Sequence, residues 1–168
     1  CRALAKIKLG RLVEARLTLA SVLLANPAYE AAWRLFDDTL RCCMQSPYTY
    51  AAISDAVEDI EGYLVAGQEK YLFDKVRSLP HNAIILEIGG CYGRSTVAMA
   101  FACVGTERRI FTIDTFYGND GVMGRTECFL DIWHNSLSRF DLEGYAVPLP
   151  GLSAEVLSAW ADKPRPDF

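Results

Sequence analysis

Two carboxylates and a cluster of glycines are the residues of this chain best placed to do chemistry. Glu87 stands two positions ahead of Gly89-Gly90-Cys91-Tyr92-Gly93, and Arg94-Ser95-Thr96 follow. Ile84-Ile85-Leu86 precede it, so the stretch reads as a buried strand, a tight turn and the start of a helix. That arrangement presents backbone N–H groups to a small ligand at the carboxyl ends of strands in an open α/β sheet. Asp114 closes a second apolar run, Arg109-Ile110-Phe111-Thr112-Ile113. It lies about 20 residues past Gly93, the spacing at which an acid meets ribose hydroxyls. Together the two features point to a nucleoside-containing cofactor.

The order of the glycines narrows the choice. A dinucleotide fingerprint, G-x-G-x-x-G, counted from Gly89 needs glycine where Cys91 and Arg94 stand. The pattern here is Glu-x-Gly-x-x-x-Gly. A carboxylate at that point suits a cofactor with a cationic amino-acid head and repels a pyrophosphate. A nicotinamide dehydrogenase is therefore the weaker reading.

At these residues the sequence resembles the class I S-adenosylmethionine-dependent methyltransferases. The likeness is to their small-molecule O-methyltransferases, in the catechol and macrocin O-methyltransferase-like branches. Gly93-Arg94-Ser95-Thr96 and Thr112-Ile113-Asp114-Thr115-Phe116 carry the likeness, which extends over residues 60–168. It implies that S-adenosylmethionine is held by Glu87, Gly89, Gly90, Gly93, Ser95, Asp114, Thr115, Phe116 and Ser153. Glu87 would hold the methionine amino group, directly or through water. The three glycines would let the backbone approach the methionine and ribose. Asp114 would accept both ribose hydroxyls. Gly151-Leu152-Ser153-Ala154 would line the adenine pocket, with Phe116 or Tyr117 against the adenine face. The acceptor implied is a small molecule or a sugar. In the resembled enzymes the acidic base or metal residues lie at the end of the fourth strand and beyond. A divalent metal, if used, would then be bound beyond Phe168, so no catalytic residue or metal ligand is assigned here.

Plainer roles exist for the same residues. Glu87 could partner a helix dipole, Asp114 could be a strand-end turn residue, and Ser153 could be a helix cap. Arg94, Ser95 and Thr96 suit a first helical turn, where hydroxyls can cap free N–H groups. Cys91 has no evident histidine partner and reads as a small residue filling the turn. Of the two histidines, His81 reads as a loop residue and His134 as a surface or satisfied one. Asp120, in the loop 117–121, reads as part of a solvated turn.

The elements that must position these groups follow from periodicity. Strands are expected at 83–88, 109–113 and 145–149, with a fourth starting near 167. Helices are expected at 94–104, 127–140 and 153–161, with a long polar loop over 115–126. Strands alternating with helices imply a parallel sheet covered on both faces. The fold class is α/β, a partial Rossmann-like parallel sheet of three to four strands behind an all-α N-terminal segment. Residues 48–79 read as mainly helical, interrupted near Gly62 and Gly67.

Residues 1–45 read as helices, the first broken at Gly10, with Leu12, Ala15, Leu19, Val22 and Leu23 at helical spacing. Gly10, Ala15, Leu19 and Pro27 resemble the second half of a tetratricopeptide repeat, and Trp33 falls where the next repeat would place its tryptophan. Ala15 would permit close helix crossing, while Leu19 and Trp33 would fill the gap. The expected division is thus repeat-like helices over 1–45, a helical linker or cap over 46–80, and the N-terminal half of a methyltransferase domain over 81–168. The N-terminal helices could bind a protein partner, and the competing reading is an interaction module with a non-catalytic α/β domain.

The chain has 168 residues, is 51% hydrophobic and carries a net charge of −4, enough for a packed core and ill suited to nucleic acid. No apolar stretch approaches the roughly 18–20 residues of a membrane span. The six cysteines form no zinc pattern, which fits reduced thiols in the cytoplasm. A start at Cys1 and a stop at Phe168 give the sequence the look of a segment of a longer protein, with further repeats upstream. A parallel edge left open on the first strand predicts a segment that is poorly stable alone or that associates with copies of itself.

Overall fold

The computed structural model describes residues 12–43, 46–118, 128–160 and 163–168. Its centre is a parallel three-stranded sheet in the order β1 (Ile84–Ile88), β2 (Arg109–Asp114), β3 (Ala146–Pro150). The register sets Ile85 beside Ile110 and Glu87 beside Thr112, and continues with Ile110 beside Ala146. The α/β class with a parallel sheet stands as expected, and the strand bounds fall within a residue of those read from periodicity.

Among the described residues, four helices precede the sheet or cover it from the N-terminal half: α1 (Leu12–Ala25), α2 (Glu30–Cys43), α3 (Tyr50–Glu58) and α4 (Gln68–Ser78). Three more follow β1: α5 (Arg94–Cys103), α6 (Leu130–Ser138) and α7 (Ser153–Ala159). Helix α5 is buried from Thr96 through Cys103. Ala98, Ala100 and Ala102 make this possible, because small side chains let α3, α4, α6 and β2 close around one helix. Phe73 and Val76 of α4, Ile85 and Ile110 of the sheet, and Trp133 and Leu137 of α6 complete that core.

One sheet face carries Ile85, Glu87, Ile110 and Thr112 inward. On the other, Phe111 meets the ring of Trp160, which follows α7, at 5.0 Å. The free side of β1 is partly paired. Asp167 N–H donates to the Ile84 carbonyl and Leu86 N–H to the Phe168 carbonyl, both at 2.8 Å and in the same chain sense. The edge expected to be bare is therefore met by backbone at these positions, as an incipient fourth strand would meet it.

Helices α1 and α2 form a hairpin with its own apolar seam: Leu19, Leu23 and Ala32, with Leu35 and Phe36 against it. Trp33 does not fill that seam. It is 46% exposed, and its Nε1 donates to the Pro27 carbonyl, so it braces the inter-helix turn instead. Val22, expected on the apolar stripe, stands at the surface. A helical hairpin is what the structure contains, and two helices are not diagnostic of a repeat family. Gly10 and the first short helix lie outside the described residues. No helix among the described residues is long and apolar enough to cross a membrane.

Arg108, at the entrance to β2, is 2% exposed and forms no ion pair with a carboxylate among the described residues. Its guanidinium donates to the carbonyls of Arg77 (3.1 Å), Leu79, Pro80 (3.0 Å) and Ala102 (3.1 Å). Arg77 and Ala102 lie in the last turns of α4 and α5, while Leu79 and Pro80, whose carbonyl also accepts the Ala83 N–H, follow α4; a cation suits the negative end of a helix dipole. Burial pushes its ionisation down, the expected direction for a cation removed from water. Arg108 thus locks the two helices to the start of β2. Arg108→Met should lower unfolding free energy by at least about 2 kcal/mol by orphaning these carbonyls. Arg108→Lys should not restore it, since one ammonium cannot span four acceptors. Urea denaturation of the three proteins checks this.

Candidate functional site

The site is built on the turn between β1 and α5. Gly89 (φ +87°), Cys91 (φ +48°) and Gly93 (φ +94°) all take the left-handed region, so the chain reverses sharply and α5 starts at once. Gly90 is fixed by space. A Cβ there would stand 2.3 Å from Thr112 Cγ2 and 3.1 Å from Trp133 Nε1. Only a hydrogen fits between the turn, β2 and α6.

Beneath the turn lies Glu87, 8% exposed. Ser95 Oγ donates to its Oε1 (2.5 Å), while Thr96 Oγ1 (2.6 Å) and Thr112 Oγ1 (2.8 Å) donate to Oε2. Trp133 Nε1 donates in turn to Thr96 Oγ1 at 3.0 Å. The hydroxyls of Ser95 and Thr96 therefore serve the carboxylate. They do not cap α5, whose N-cap is Gly93 and which has no side-chain cap. Burial raises the pKa of Glu87 most strongly, and the nearby Asp114 charge raises it further; the three hydroxyls act against both.

Asp114, at the end of β2, faces the turn from the other side. Its Oδ2 accepts the Cys91 N–H (2.9 Å) and its Oδ1 the Phe116 N–H (2.8 Å). Both oxygens are thereby fixed in direction, and each keeps a lone pair for a ligand. The Phe116 N–H is presented by a left-handed residue (φ +58°) whose ring is buried against Phe129 and Trp133. This corrects the expectation for Phe116: at 1% exposure its ring belongs to the core and has no face for an adenine. Tyr117, 59% exposed, remains open.

Among the described residues, three clefts meet at Gly89. One of about 230 Å³ is lined by 61–64 and by 89–92 with Arg94 and Ser95. A second of about 200 Å³ runs between Ile88, Gly89, Asp114, Thr115, Gly151, Leu152 and Ser153. A third of about 280 Å³, largely apolar, lies along β1 between Leu64, Leu72, Met99 and Phe168. Glu87, Gly89, Gly90, Gly93, Ser95, Asp114, Thr115 and Ser153 thus gather at one end of the sheet. Ser153 opens α7 as its first residue; the cap position is Leu152, which excludes the cap reading for Ser153.

Thr112, Thr96 and Trp133 support the site although the sequence reading assigned none of them a place in it. Thr112 could have been found, because it faces Glu87 whenever β1 and β2 pair in register. The segment 61–64, which walls one cleft, carried no such signal. Cys91 sits in the same cleft as a free thiol, and burial raises its pKa, which keeps it protonated and a poor nucleophile. His134 packs its ring against Trp133 at 5.1 Å. Asp120 lies outside the described residues. No group of three potential metal ligands occurs among the described residues.

No family model and no curated protein matches the chain. Solved structures do. A putative O-methyltransferase from Klebsiella pneumoniae is similar at 19% identity and a TM-score of 0.52, over 72% of this chain and 52% of that one. A cofactor-bound protein from MTB, Rv0187, aligns at 21% identity and a TM-score of 0.49, over 68% and 48%. An O-methyltransferase from Bacillus cereus in complex with SAH aligns at 19% identity and a TM-score of 0.49, over 71% and 51%. The chain spans about half the length of each of these. The Klebsiella likeness is one of fold: this chain has the helix-covered parallel sheet of that structure.

Two outcomes test the geometry. Gly90→Ala should cost about 1–3 kcal/mol, the range for overpacking a filled site, and Thr112→Ser in the same chain should recover part by deleting the clashing methyl. A denaturation cycle over the four proteins measures the coupling. Glu87 binds its proton more tightly folded than unfolded, so its contribution to stability is complete below the ordinary glutamate pKa of about 4.3 and is lost as pH rises toward the raised native value. Relative to Glu87→Gln, the wild type should therefore lose stability with rising pH across that interval, as read from urea midpoints.

Proposed function

We propose that the chain carries the cofactor cradle of an S-adenosylmethionine-dependent methyltransferase acting on a small molecule or a sugar. The observation that carries the reading is Asp114. Its carboxylate is fixed by two backbone N–H groups at the lip of the glycine turn, with lone pairs left over, and Asp114 lines the cleft shared with Thr115, Gly151, Leu152 and Ser153. The fold likeness to the Klebsiella structure supports it.

The residues fit such a cofactor on their own chemistry. A carboxylate with two free lone pairs suits vicinal ribose hydroxyls. Left-handed Gly89, where a Cβ would meet open space, presents bare backbone, and Gly90 lets the turn settle onto Thr112 and Trp133. Thr115, Gly151, Leu152 and Ser153 offer a cleft on the base side, and 61–64 with Arg94 offer one on the amino-acid side. The cofactor would supply a methyl group activated by its sulfonium. The chain would hold it in one pose, which is most of what an in-line displacement requires.

Glu87 takes a defined part in this reading. A cationic ammonium at the turn would favour its ionised form and oppose the effect of burial. Its three hydroxyl partners are already directed at the carboxylate, so ionisation needs no rearrangement. We place any metal and the acceptor's base outside the residues assigned here.

Isothermal titration of the chain with S-adenosylhomocysteine tests the proposal. Binding is expected, and Asp114→Asn should weaken it at least about tenfold, because the lost contacts are hydrogen bonds to a charge. No binding by the wild type, or equal binding by a folded Asp114→Asn, contradicts it.

A further inference from the structure

The amino-acid side of the site contains a buried ion pair. Glu69, in the first turn of α4, is 1% exposed, and its Oε1 meets Arg94 Nη2 at 2.6 Å. The pair geometry is poor for so short a contact. Glu69 Oε1 forms no well-directed hydrogen bond, and Arg94 Nε is buried without an acceptor. A buried pair with unmet groups contributes less stability than apolar side chains of the same volume would.

Arg94 is also badly placed for its own helix. It is the first residue of α5, at the positive end of the dipole, where a cation is disfavoured. Its stem is accommodated by Gly62: a Cβ there would stand 3.1 Å from both Arg94 Cβ and Cδ. The chain thus spends a buried carboxylate, a glycine and a helix start on holding one guanidinium against the cleft formed by 61–64 and 89–95. Apart from Glu69, that guanidinium has no hydrogen-bond partner among the described residues.

A guanidinium with donors to spare, on a residue that lines a cleft, is a receptor for a carboxylate. Taken with the cofactor reading above, on which this rests, the arrangement gives each end of the amino-acid head an opposite charge. We propose that Arg94, oriented by Glu69 and given room by Gly62, receives the α-carboxylate of the cofactor's methionine head. Glu69 is then a positioning residue: it contributes no contact to the ligand and fixes where the guanidinium stands. The sulfonium and ammonium are left to the Glu87 side of the turn.

Two ligands that differ only in that head separate this inference from the reading it rests on. S-adenosylhomocysteine carries the amino-acid head, and methylthioadenosine lacks it. Both are titrated calorimetrically into the wild type, Arg94→Met and the double variant Glu69→Gln/Arg94→Met, which leaves no buried charge unpaired. Thermal melts confirm that each protein is folded. The expected result is a roughly 10- to 100-fold weaker S-adenosylhomocysteine affinity in both variants, with methylthioadenosine unchanged. Glu69→Gln alone should give a smaller loss, again only for the ligand with the head. Unchanged S-adenosylhomocysteine binding in a folded variant overturns the role of Arg94, and so does an equal loss for both ligands. A wild type that binds neither ligand overturns the cofactor reading, and this inference with it.

Discussion

The rest of the structure depends on the absence of a side chain at Gly90. The turn after β1 presses against Thr112 of β2 and Trp133 of α6 so closely that only a hydrogen fits. That contact brings Thr112 and Thr96 onto Glu87, brings the Cys91 N–H onto Asp114, and starts α5 close behind the strand. The carboxylates and hydroxyls gathered under the turn hold one another in place because each already has a partner. The open valences of the site are few and directed, the condition for holding a small flexible molecule in one pose.

The two carboxylates divide the work by environment. Glu87 is sealed beneath the turn, so burial raises its pKa against the pull of its three hydroxyl partners, and a nearby cation would favour its charge. Asp114 sits at the surface of the same turn, oriented by backbone donors yet accessible. Two arginines are divided in a similar way. Arg108 is spent on helix ends and holds α4 and α5 to the sheet. Arg94 is spent on a cleft wall, where α4 reaches it through Glu69. Helix α4 thus connects the packing of the core to the shape of the site.

The sheet was legible in the sequence because buried parallel strands leave continuous apolar runs, and 84–88 and 109–113 are such runs. The turn was legible because its glycines and flanking acids are local in sequence. What escaped was decided by distance. Whether a hydroxyl caps its own helix or turns to Glu87 depends on where β1 places the carboxylate, and Ser95 and Thr96 took the carboxylate. Phe116 looked available for stacking because it follows Asp114, but a left-handed backbone at that residue turns its ring into the core. Trp33 looked like a core tryptophan by spacing, yet its indole N–H found a carbonyl at the turn and stayed half exposed. The Glu69–Arg94 pair joins residues far apart in sequence, and no local pattern announces it.

The central claim is that one lip of the sheet, the turn 89–93 together with 114–116, is the cofactor cradle. Amide hydrogen exchange of the chain with and without saturating S-adenosylhomocysteine tests it most directly. The account predicts added protection concentrated in 89–97 and 114–118, with 61–64 and 151–153 following, and little change in the hairpin 12–43. Added protection confined to the hairpin, or none at the turn, would contradict it.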